Sequence, residues 1–245
     1  MSLGDRVLEV AASDERAVLF TVVDGERAGA KLLVLLDRNE TVGDAFSGLE
    51  ALAPEVRRSG ILEWEGVQIF AEVFGPPPRL VVVGAVDTAE ALCAAARLTG
   101  WHTICVDARG KFATPERIPS ADELVVEWPE PAFERIRPDR ETAVVVLTHD
   151  DKFDVPALKA ALATEAFYVG AIGARRTQAR RRERLLEAGL TEAELGRIHG
   201  PSGLDLGADT PAETALSILA EALAVRAGRP GTPLKTAPGR IHVES

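Results

Sequence analysis

The sequence contains little of what would place it in several common classes of protein. Its 245 residues include only two cysteines, Cys93 and Cys105, and these have neither metal-binding nor redox-motif spacing. We therefore expect a reduced, cytoplasmic environment. No apolar run reaches the roughly 18–20 residues that span a membrane, and no basic-then-apolar N-terminus indicates secretion. The net charge of −10 argues against nonspecific nucleic-acid binding, so we expect neither a membrane nor a nucleic-acid partner.

A proline-rich connector, Gly75-Pro76-Pro77-Pro78, separates two patterns of secondary structure. Before it, a short amphipathic helix, strands and a hairpin predict a small α+β domain over residues 1–75. After it, buried apolar strands alternate with helices, which predicts an α/β domain with a Rossmann-like, doubly wound parallel sheet over residues 76–245. The N-terminal predictions are helices at 3–15 and 44–57 and strands at 17–23, 31–36, 61–64 and 67–74. The C-terminal predictions are strands at 80–83, 103–106, 123–126, 143–148 and 166–169, and helices at 88–99, 155–163, 177–188 and 211–227.

The first glycine turn lies at the end of the first C-terminal strand. In a dinucleotide site, Gly-x-Gly-x-x-Gly/Ala allows a tight turn, close approach of a pyrophosphate and helix–strand packing. Gly84 and Ala89 fit the first and third positions, whereas Val86 replaces the second glycine and would crowd a phosphate. Asp107, at the end of the second strand, is placed to accept ribose hydroxyls, and Arg109 is placed to meet a phosphate instead. We favour a Rossmann-like fold whose nucleotide site is altered or lost.

The second glycine turn contains Gly170 and Gly173 and leads into an arginine-rich helix. A helix N-terminus offers free N–H groups and a positive dipole end, and arginine adds planar donors for phosphate oxygens. Arg175 and Arg176, at the turn itself, are therefore candidate ligands for an anion or a partner. The arginines within 180–184 alternate with glutamates at helical spacing, so we expect them to lie on a solvated face.

Polar residues follow the fourth strand of the predicted sheet. His149 and Asp150 lie beyond its carboxyl end, where the ligands of open α/β sheets bind. Such residues could supply metal ligands or a histidine base beside an orienting carboxylate, or an aspartate could cap the next helix. We assign the capping role to Asp154 and retain His149 and Asp150 as candidates for cofactor binding. No metal site is predicted.

A polar, glycine-rich loop precedes the last helix. Gly203 indicates a sharp bend or a close approach to a ligand. Asp205 and His199 are candidate ligands, although either side chain could equally hold the loop by hydrogen bonds. Thr210-Pro211-Ala212-Glu213 forms a capping box with proline at the first helical position, which marks the start of the last helix.

Together these segments resemble the XdhC/CoxI family, the accessory proteins of xanthine dehydrogenase and related molybdenum hydroxylases. The resemblance covers nearly everything after Leu80 and includes a GRPGTPL-type tail. Its motifs are ICVDARGKFATPERIPSADELV (104–125), LTHDDKFDVPAL (147–158), YVGAIGARRTQARRRERL (168–185) and RIHGPSGLDLGADTPAETALSILAE (197–221). The chain departs from the family pattern at residues 84–87, where a GAGH-type turn is usual, at Asp151, where histidine is usual, and at residues 46–50, which lack the usual cysteine.

The resemblance implies an N-terminal XdhC/CoxI-like domain, a C-terminal Rossmann domain and a homodimer. It implies a maturation factor, not itself an enzyme, that binds molybdenum cofactor (molybdopterin) and protects it during sulfuration. That factor would deliver the cofactor into a xanthine dehydrogenase-like molybdenum hydroxylase, and a cysteine desulfurase is a further candidate partner. Two alternatives stay open: an NAD(P)-binding Rossmann oxidoreductase, which Val86 disfavours, and a degenerate paralogue that only binds a partner protein.

Overall fold

A computed structural model describes residues 2–148 and 150–237 of the chain. Within these ranges the protein forms two compact units, residues 2–76 with 232–237, and Pro77–Gly231. The division falls inside the proline-rich connector, between Pro76 and Pro77. None of the helices in the described ranges has the length and apolar character needed to cross a membrane.

The N-terminal unit is an antiparallel sheet with a helix on each face. It comprises, in chain order, α1 (Leu3–Ala11), β1 (Ala17–Val22), β2 (Lys31–Leu35), β3 (Glu40–Gly43), a 3₁₀ helix (Leu49–Glu55), β4 (Gly60–Trp64) and β5 (Val67–Phe74). The strands pair in the order β3-β2-β1-β5-β4. Leu19 packs in the layer with α1, whereas its neighbour Phe20 packs in the layer with the 3₁₀ helix. The helix predicted at 44–57 is this shorter 3₁₀ helix, which contains Pro54.

The C-terminal unit is a six-stranded parallel sheet covered by helices on both faces. Its elements are β6 (Arg79–Val83), α2 (Asp87–Leu98), β7 (His102–Val106), β8 (Glu123–Val125), α3 (Pro129–Ile136), β9 (Thr142–Val146), α4 (Asp151–Leu162), β10 (Tyr168–Ala171), α5 (Arg175–Glu187), α6 (Glu192–Leu195), β11 (Ile198–His199) and α7 (Pro211–Arg226). The strand order is β11-β10-β9-β6-β7-β8, with every pair parallel. The predicted α/β, Rossmann-like class is confirmed. The sequence pattern did not reveal α3, α6 and β11.

Alternation along the buried strands produces a core on each face of this sheet. In β6, Leu80 and Val82 pack in the layer formed with α2 and α7, whereas Val81 and Val83 pack in the layer formed with α3, α4 and α5. The chain winds outward in one direction from β6 to β8 and in the other from β9 to β11. The strand order therefore reverses between β6 and β9, and the crevice outside the carboxyl ends of these strands is where ligands of this architecture bind.

Candidate functional site

Gly84 lies at this reversal point, directly after β6. Its φ angle is +107°, a value that L side chains rarely adopt. A Cβ atom on residue 84 would lie 2.7 Å from Cγ2 of Thr148, which follows β9. The glycine therefore allows the ends of two neighbouring strands to touch, and contacts within the protein account for its presence.

Asp107 follows β7, and its carboxylate is engaged within the protein. Oδ2 accepts hydrogen bonds from the backbone N–H of Ala85 at 2.9 Å and from Nη2 of Arg109 at 2.8 Å. Oδ1 accepts from the backbone N–H and from Nε of Arg109, both at 2.9 Å. Burial raises the pKa of Asp107, but these hydrogen bonds outweigh burial and hold the pKa below its ordinary value. The ionised carboxylate thus joins Arg109 to the first glycine turn, and these oxygens are not free to accept ribose hydroxyls.

A small pocket opens beside Asp107, with about 200 Å³ of empty space. Its walls come from the ends of β6, β7 and β9 and from Pro129 and Phe153. The ring of Phe153 stacks on that of Trp128 with centroids 4.9 Å apart, and the Arg109 guanidinium lies 5.2 Å from the Phe153 centroid. Part of the 200 Å³ of empty space is open solvent, so the pocket itself is smaller than that figure. Cofactor sites usually have at least about 300 Å³, and this pocket is therefore small for a dinucleotide.

The helix that follows β9 is capped by Asp150 and not, as we predicted, by Asp154. His149 lies outside the described residues. Asp150 is the exposed N-cap of α4, and its Oδ1 accepts a hydrogen bond from the backbone N–H of Lys152 at 3.1 Å. Asp154 was expected to cap this helix, but it lies inside the first turn and is 1% exposed. The capping role belongs to Asp150 because that residue, with extended backbone, immediately precedes the first turn.

The second glycine turn is held by neighbouring side chains. Gly170 lies in β10 under the ring of Tyr168, and a Cβ atom on residue 170 would lie 2.6 Å from Cε1 of that ring. Gly173 has a φ angle of +119° where the chain enters α5. Nε2 of Gln178 donates to the carbonyl oxygens of residues 171–173 at 3.1 to 3.2 Å. The turn therefore has a fixed backbone conformation before any ligand is considered.

Arg175 and Arg176 occupy the first two positions of α5, and both are exposed. The N-cap residue is Ala174, so no cap side chain satisfies the free N–H groups, and the first turn has no acidic residue. Two cations therefore lie at the positive end of the helix dipole, where an anion is favoured. Helix α2 is the opposite case, because Asp87 and Glu90 already place negative charge in its first turn.

We expected the central arginines of α5 to be solvated, but one of them is not. Arg181 is buried, and its Nη2 lies 2.7 Å from Oδ2 of Asp154. Nη1 and Nη2 also donate to the carbonyl oxygen of Ile172 at 3.0 and 3.1 Å. Arg181 lies four residues before the buried Leu185 and therefore on the same, inward face of the helix.

The loop after β11 packs directly against the second glycine turn. The backbone N–H of Ser202 donates to the carbonyl oxygen of Ala171 at 3.0 Å. Gly203 has a φ angle of +113°, and a Cβ atom on it would collide with Oγ of Ser217 in α7. Asp205 is exposed further along the loop. The structure thus brings the loop that contains Gly203 to the α5 turn and leaves Asp205 at the surface.

Glu221 of α7 collects three hydrogen bonds that we did not anticipate. Its carboxylate lies 2.6 Å from the Tyr168 hydroxyl and from the backbone N–H of Gly203, and 3.1 Å from Nδ1 of His199. The rings of Tyr168 and His199 stack with centroids 4.6 Å apart. Burial raises the pKa of Glu221, but the hydrogen bonds outweigh burial and hold the pKa below its ordinary value. Glu221 therefore joins β10, β11 and the loop to α7.

The structure gathers the predicted site residues into two groups at the carboxyl edge of the sheet. The group at the ends of β6 and β7 contains Gly84, Asp107 and Arg109. The group at the ends of β10 and β11 contains Gly170, Gly173, Arg175, Arg176 and the loop with Gly203. Within the described ranges, no group of three or more His, Cys, Asp or Glu residues is arranged to hold a metal ion. Of the two groups, the second has exposed cations at an uncapped helix end and is suited to bind an anion.

The strand order and the glycine turns define a doubly wound, Rossmann-like domain. Comparison with known families agrees, because the family described as the XdhC Rossmann domain matches residues 80–222. The chain belongs to this family. A solved structure of a xanthine dehydrogenase from Bacillus halodurans has a similar fold, with a TM-score of 0.65 over 95% of this chain and 65% of that one, at 22% identity.

Three curated relatives match the chain at 30 to 33% identity. They are the uncharacterized protein YqeB of Escherichia coli K12 (33% over 67% of this chain and 30% of the relative), a Bacillus subtilis 168 protein described as a probable xanthine dehydrogenase subunit (30% over 64% and 46%), and the molybdenum cofactor insertion chaperone PaoD of E. coli K12 (32% over 62% and 42%). The chain therefore spans less than half the length of each of these relatives.

Proposed function

We propose that this protein binds molybdenum cofactor and assists its insertion into a xanthine dehydrogenase-type molybdenum hydroxylase. Family membership and the names of two relatives, one an insertion chaperone and the other a probable xanthine dehydrogenase subunit, support this proposal. The protein would act in the cytoplasm as a carrier and not as a catalyst, with the N-terminal unit as its XdhC/CoxI-like domain. A homodimer and a cysteine desulfurase partner remain expectations of the family resemblance.

The arrangement at the start of α5 carries the proposal. Molybdopterin bears a phosphate, and its nucleotide forms bear a pyrophosphate. Arg175 and Arg176 are exposed at a helix end whose N–H groups have no cap side chain, and such ends bind phosphate groups. The neighbouring loop with Gly203 would form a second wall, since its backbone already contacts the turn through Ser202. We infer that the anionic end of the cofactor binds here.

Binding of NAD(P) at the first glycine turn is less well supported. Asp107 already accepts hydrogen bonds from Arg109 and Ala85, so it cannot hold a ribose without a rearrangement. The pocket beside it, about 200 Å³, is small for a dinucleotide. The first turn of α2 carries Asp87 and Glu90, which would repel a pyrophosphate.

Titration of the purified protein distinguishes these functions. Molybdenum cofactor released anaerobically from a molybdenum hydroxylase should quench the protein fluorescence saturably, whereas NADH and NADPH should not. Arg175→Ala with Arg176→Ala should weaken cofactor binding by about tenfold or more, because each charge-assisted hydrogen bond contributes about 1.5–3 kcal/mol. Thermal stability should change little, since both side chains are exposed.

Arg182→Ala is the matched control for this double variant. Arg182 lies in the same helix and is exposed, but it pairs with Glu192 at the helix surface and should leave cofactor binding unchanged. Saturable binding of NAD(P)H without binding of the molybdenum cofactor would overturn the proposal. A large loss of stability in the double variant would instead make Arg175 and Arg176 structural residues.

A further inference from the structure

A buried chain of polar contacts links the carboxyl ends of β9 and β10. The hydroxyl group of Thr148, which follows β9, donates a hydrogen bond to Oδ1 of Asp154 in α4. Oδ2 of Asp154 lies 2.7 Å from Nη2 of Arg181 in α5, and both of these side chains are 2% exposed. We refer to Thr148, Asp154 and Arg181 as the buried bridge.

The two ends of the buried bridge contact the two glycine turns. At one end, Thr148 lies against Gly84, and a Cβ atom on residue 84 would be 2.7 Å from Cγ2 of Thr148. At the other end, Arg181 donates twice to the carbonyl oxygen of Ile172, at 3.0 and 3.1 Å, inside the turn that precedes α5. Gln178 supports this end, because its Oε1 accepts from Arg181 at 2.7 Å while its amide group donates to the same turn.

Stability alone does not account for an ion pair in this position. Removing two charges from water is costly, and an apolar pair of similar volume often stabilises a protein as well or better. Nε of Arg181 adds to the cost, because it is buried and has no hydrogen-bond partner among the described residues. A guanidinium can, however, bind a carboxylate and a backbone carbonyl at once in a fixed planar geometry. An apolar side chain cannot orient the turn in this way.

We propose that Asp154 and Arg181 are positioning residues for the anion site at Arg175 and Arg176. Together with Gln178, the bridge orients the carbonyl of Ile172 and thereby the direction in which the free N–H groups of α5 point. Without it the turn would keep its cations but lose the geometry that aligns them with phosphate oxygens. This inference rests on the proposed function of the α5 turn.

Replacement of the whole ion pair separates positioning from stability. We would titrate inorganic pyrophosphate, as a probe of the anion site, into the full chain carrying Asp154→Leu with Arg181→Met and follow binding by calorimetry. We expect the thermal midpoint to stay near that of the wild type, because no unpaired charge is left. Affinity for pyrophosphate should fall about tenfold or more, as is common when residues that orient ligands are removed. Unchanged affinity in this folded variant would overturn the proposal.

A second variant keeps the test decisive if the paired replacement does not fold. Arg181→Lys retains a charge for Asp154, but a single ammonium lacks the planar fork that also reaches Ile172. It should weaken pyrophosphate binding, and full affinity in it would overturn the proposal. The matched control is Arg182→Gln with Glu192→Gln, which removes an exposed ion pair of the same helix and should change neither affinity nor midpoint. If the wild-type protein binds no pyrophosphate, the proposed anion site is wrong. If the wild type binds pyrophosphate and the variants bind it equally well, only the proposed positioning role of the buried bridge is wrong.

Discussion

The hydrogen bond between Tyr168 and Glu221 provides a quantitative test of how the second glycine turn is supported. Tyr168→Phe removes a single hydroxyl that lies 2.6 Å from the Glu221 carboxylate, and it leaves the ring in place over Gly170. Hydrogen bonds to charged groups contribute about 1.5–3 kcal/mol. Because Tyr168 is 1% exposed, solvent cannot replace the lost partner, and we expect the free energy of unfolding to fall by that amount.

The change should be visible in both chemical and thermal unfolding. For a chain of this length, each 1 kcal/mol lowers the melting temperature by about 2–4 °C, so Tyr168→Phe should lower it by about 3–12 °C. Urea denaturation followed by circular dichroism measures the same loss as free energy. Leu216→Ala, on the exposed face of the same α7 helix, is the control and should stay within about 0.5 kcal/mol of the wild type.

A double-mutant cycle assigns the loss to this particular pair. Glu221→Gln removes the charge that Tyr168, Gly203 and His199 share. If the two side chains interact directly, the double variant should lose less stability than the sum of the single variants, by about 0.5–3 kcal/mol. Strict additivity, or a Tyr168→Phe variant as stable as the wild type, would refute the reasoning.

Three further predictions follow from the packing and from the pKa shifts. Gly84→Ala should destabilise the protein by about 1–3 kcal/mol in urea unfolding, and Thr148→Ser should recover part of that loss by removing the clashing methyl group. Cys93 and Cys105 should not react with a thiol reagent in the native protein, because both are buried and burial raises the pKa of Cys93 to about 12; rapid labelling would contradict this. Because the pKa of Glu221 is lowered in the folded protein, its ionised carboxylate stabilises the fold fully above the ordinary glutamate pKa, and this stabilisation is lost as pH falls through the folded-state pKa. The difference in unfolding free energy between wild type and Glu221→Gln should therefore narrow below about pH 4.5. A difference that stays constant with pH would contradict this prediction.

The sequence was sufficient to predict the class of the C-terminal sheet. Runs such as Leu80–Val83 are continuously apolar and rich in β-branched valine, which is typical of strands buried on both faces. Helix α3 was missed because it begins at Pro129 and contains a second proline in its first turn, where proline is tolerated although it usually signals a break. The two-residue β11 is too short for any periodicity to show. Strand order depends on pairing between distant segments, which a single sequence does not reveal.

The sequence indicated where the glycine turns of the candidate site lie, but not the contacts that hold its charged residues. Glycines at turns are visible in a sequence because their conformations are unusual, and Gly84, Gly173 and Gly203 do have positive φ angles. The partners that explain the charged residues are remote: Asp154 meets Arg181, and Tyr168 meets Glu221 more than 50 positions away. Two signals were nevertheless present, since Tyr168 is the sole tyrosine and Glu221 interrupts an apolar stretch.

The packing of α7 against α2 has a consequence for the synthesis of the protein. Ala89 and Leu92 of α2 share one apolar layer with Ile218 and Leu219 of α7, although the two helices are separated by most of the C-terminal unit. A ribosome that adds about 5–20 residues per second needs about 6–25 s to pass from the end of α2 to the end of α7. During that interval only α2 of these two helices covers this face of the nascent sheet, and the area that α7 will occupy is exposed. The growing chain is then open to misassembly and to capture by general chaperones, so a carrier proposed to chaperone others would itself pass through a stage that needs protection.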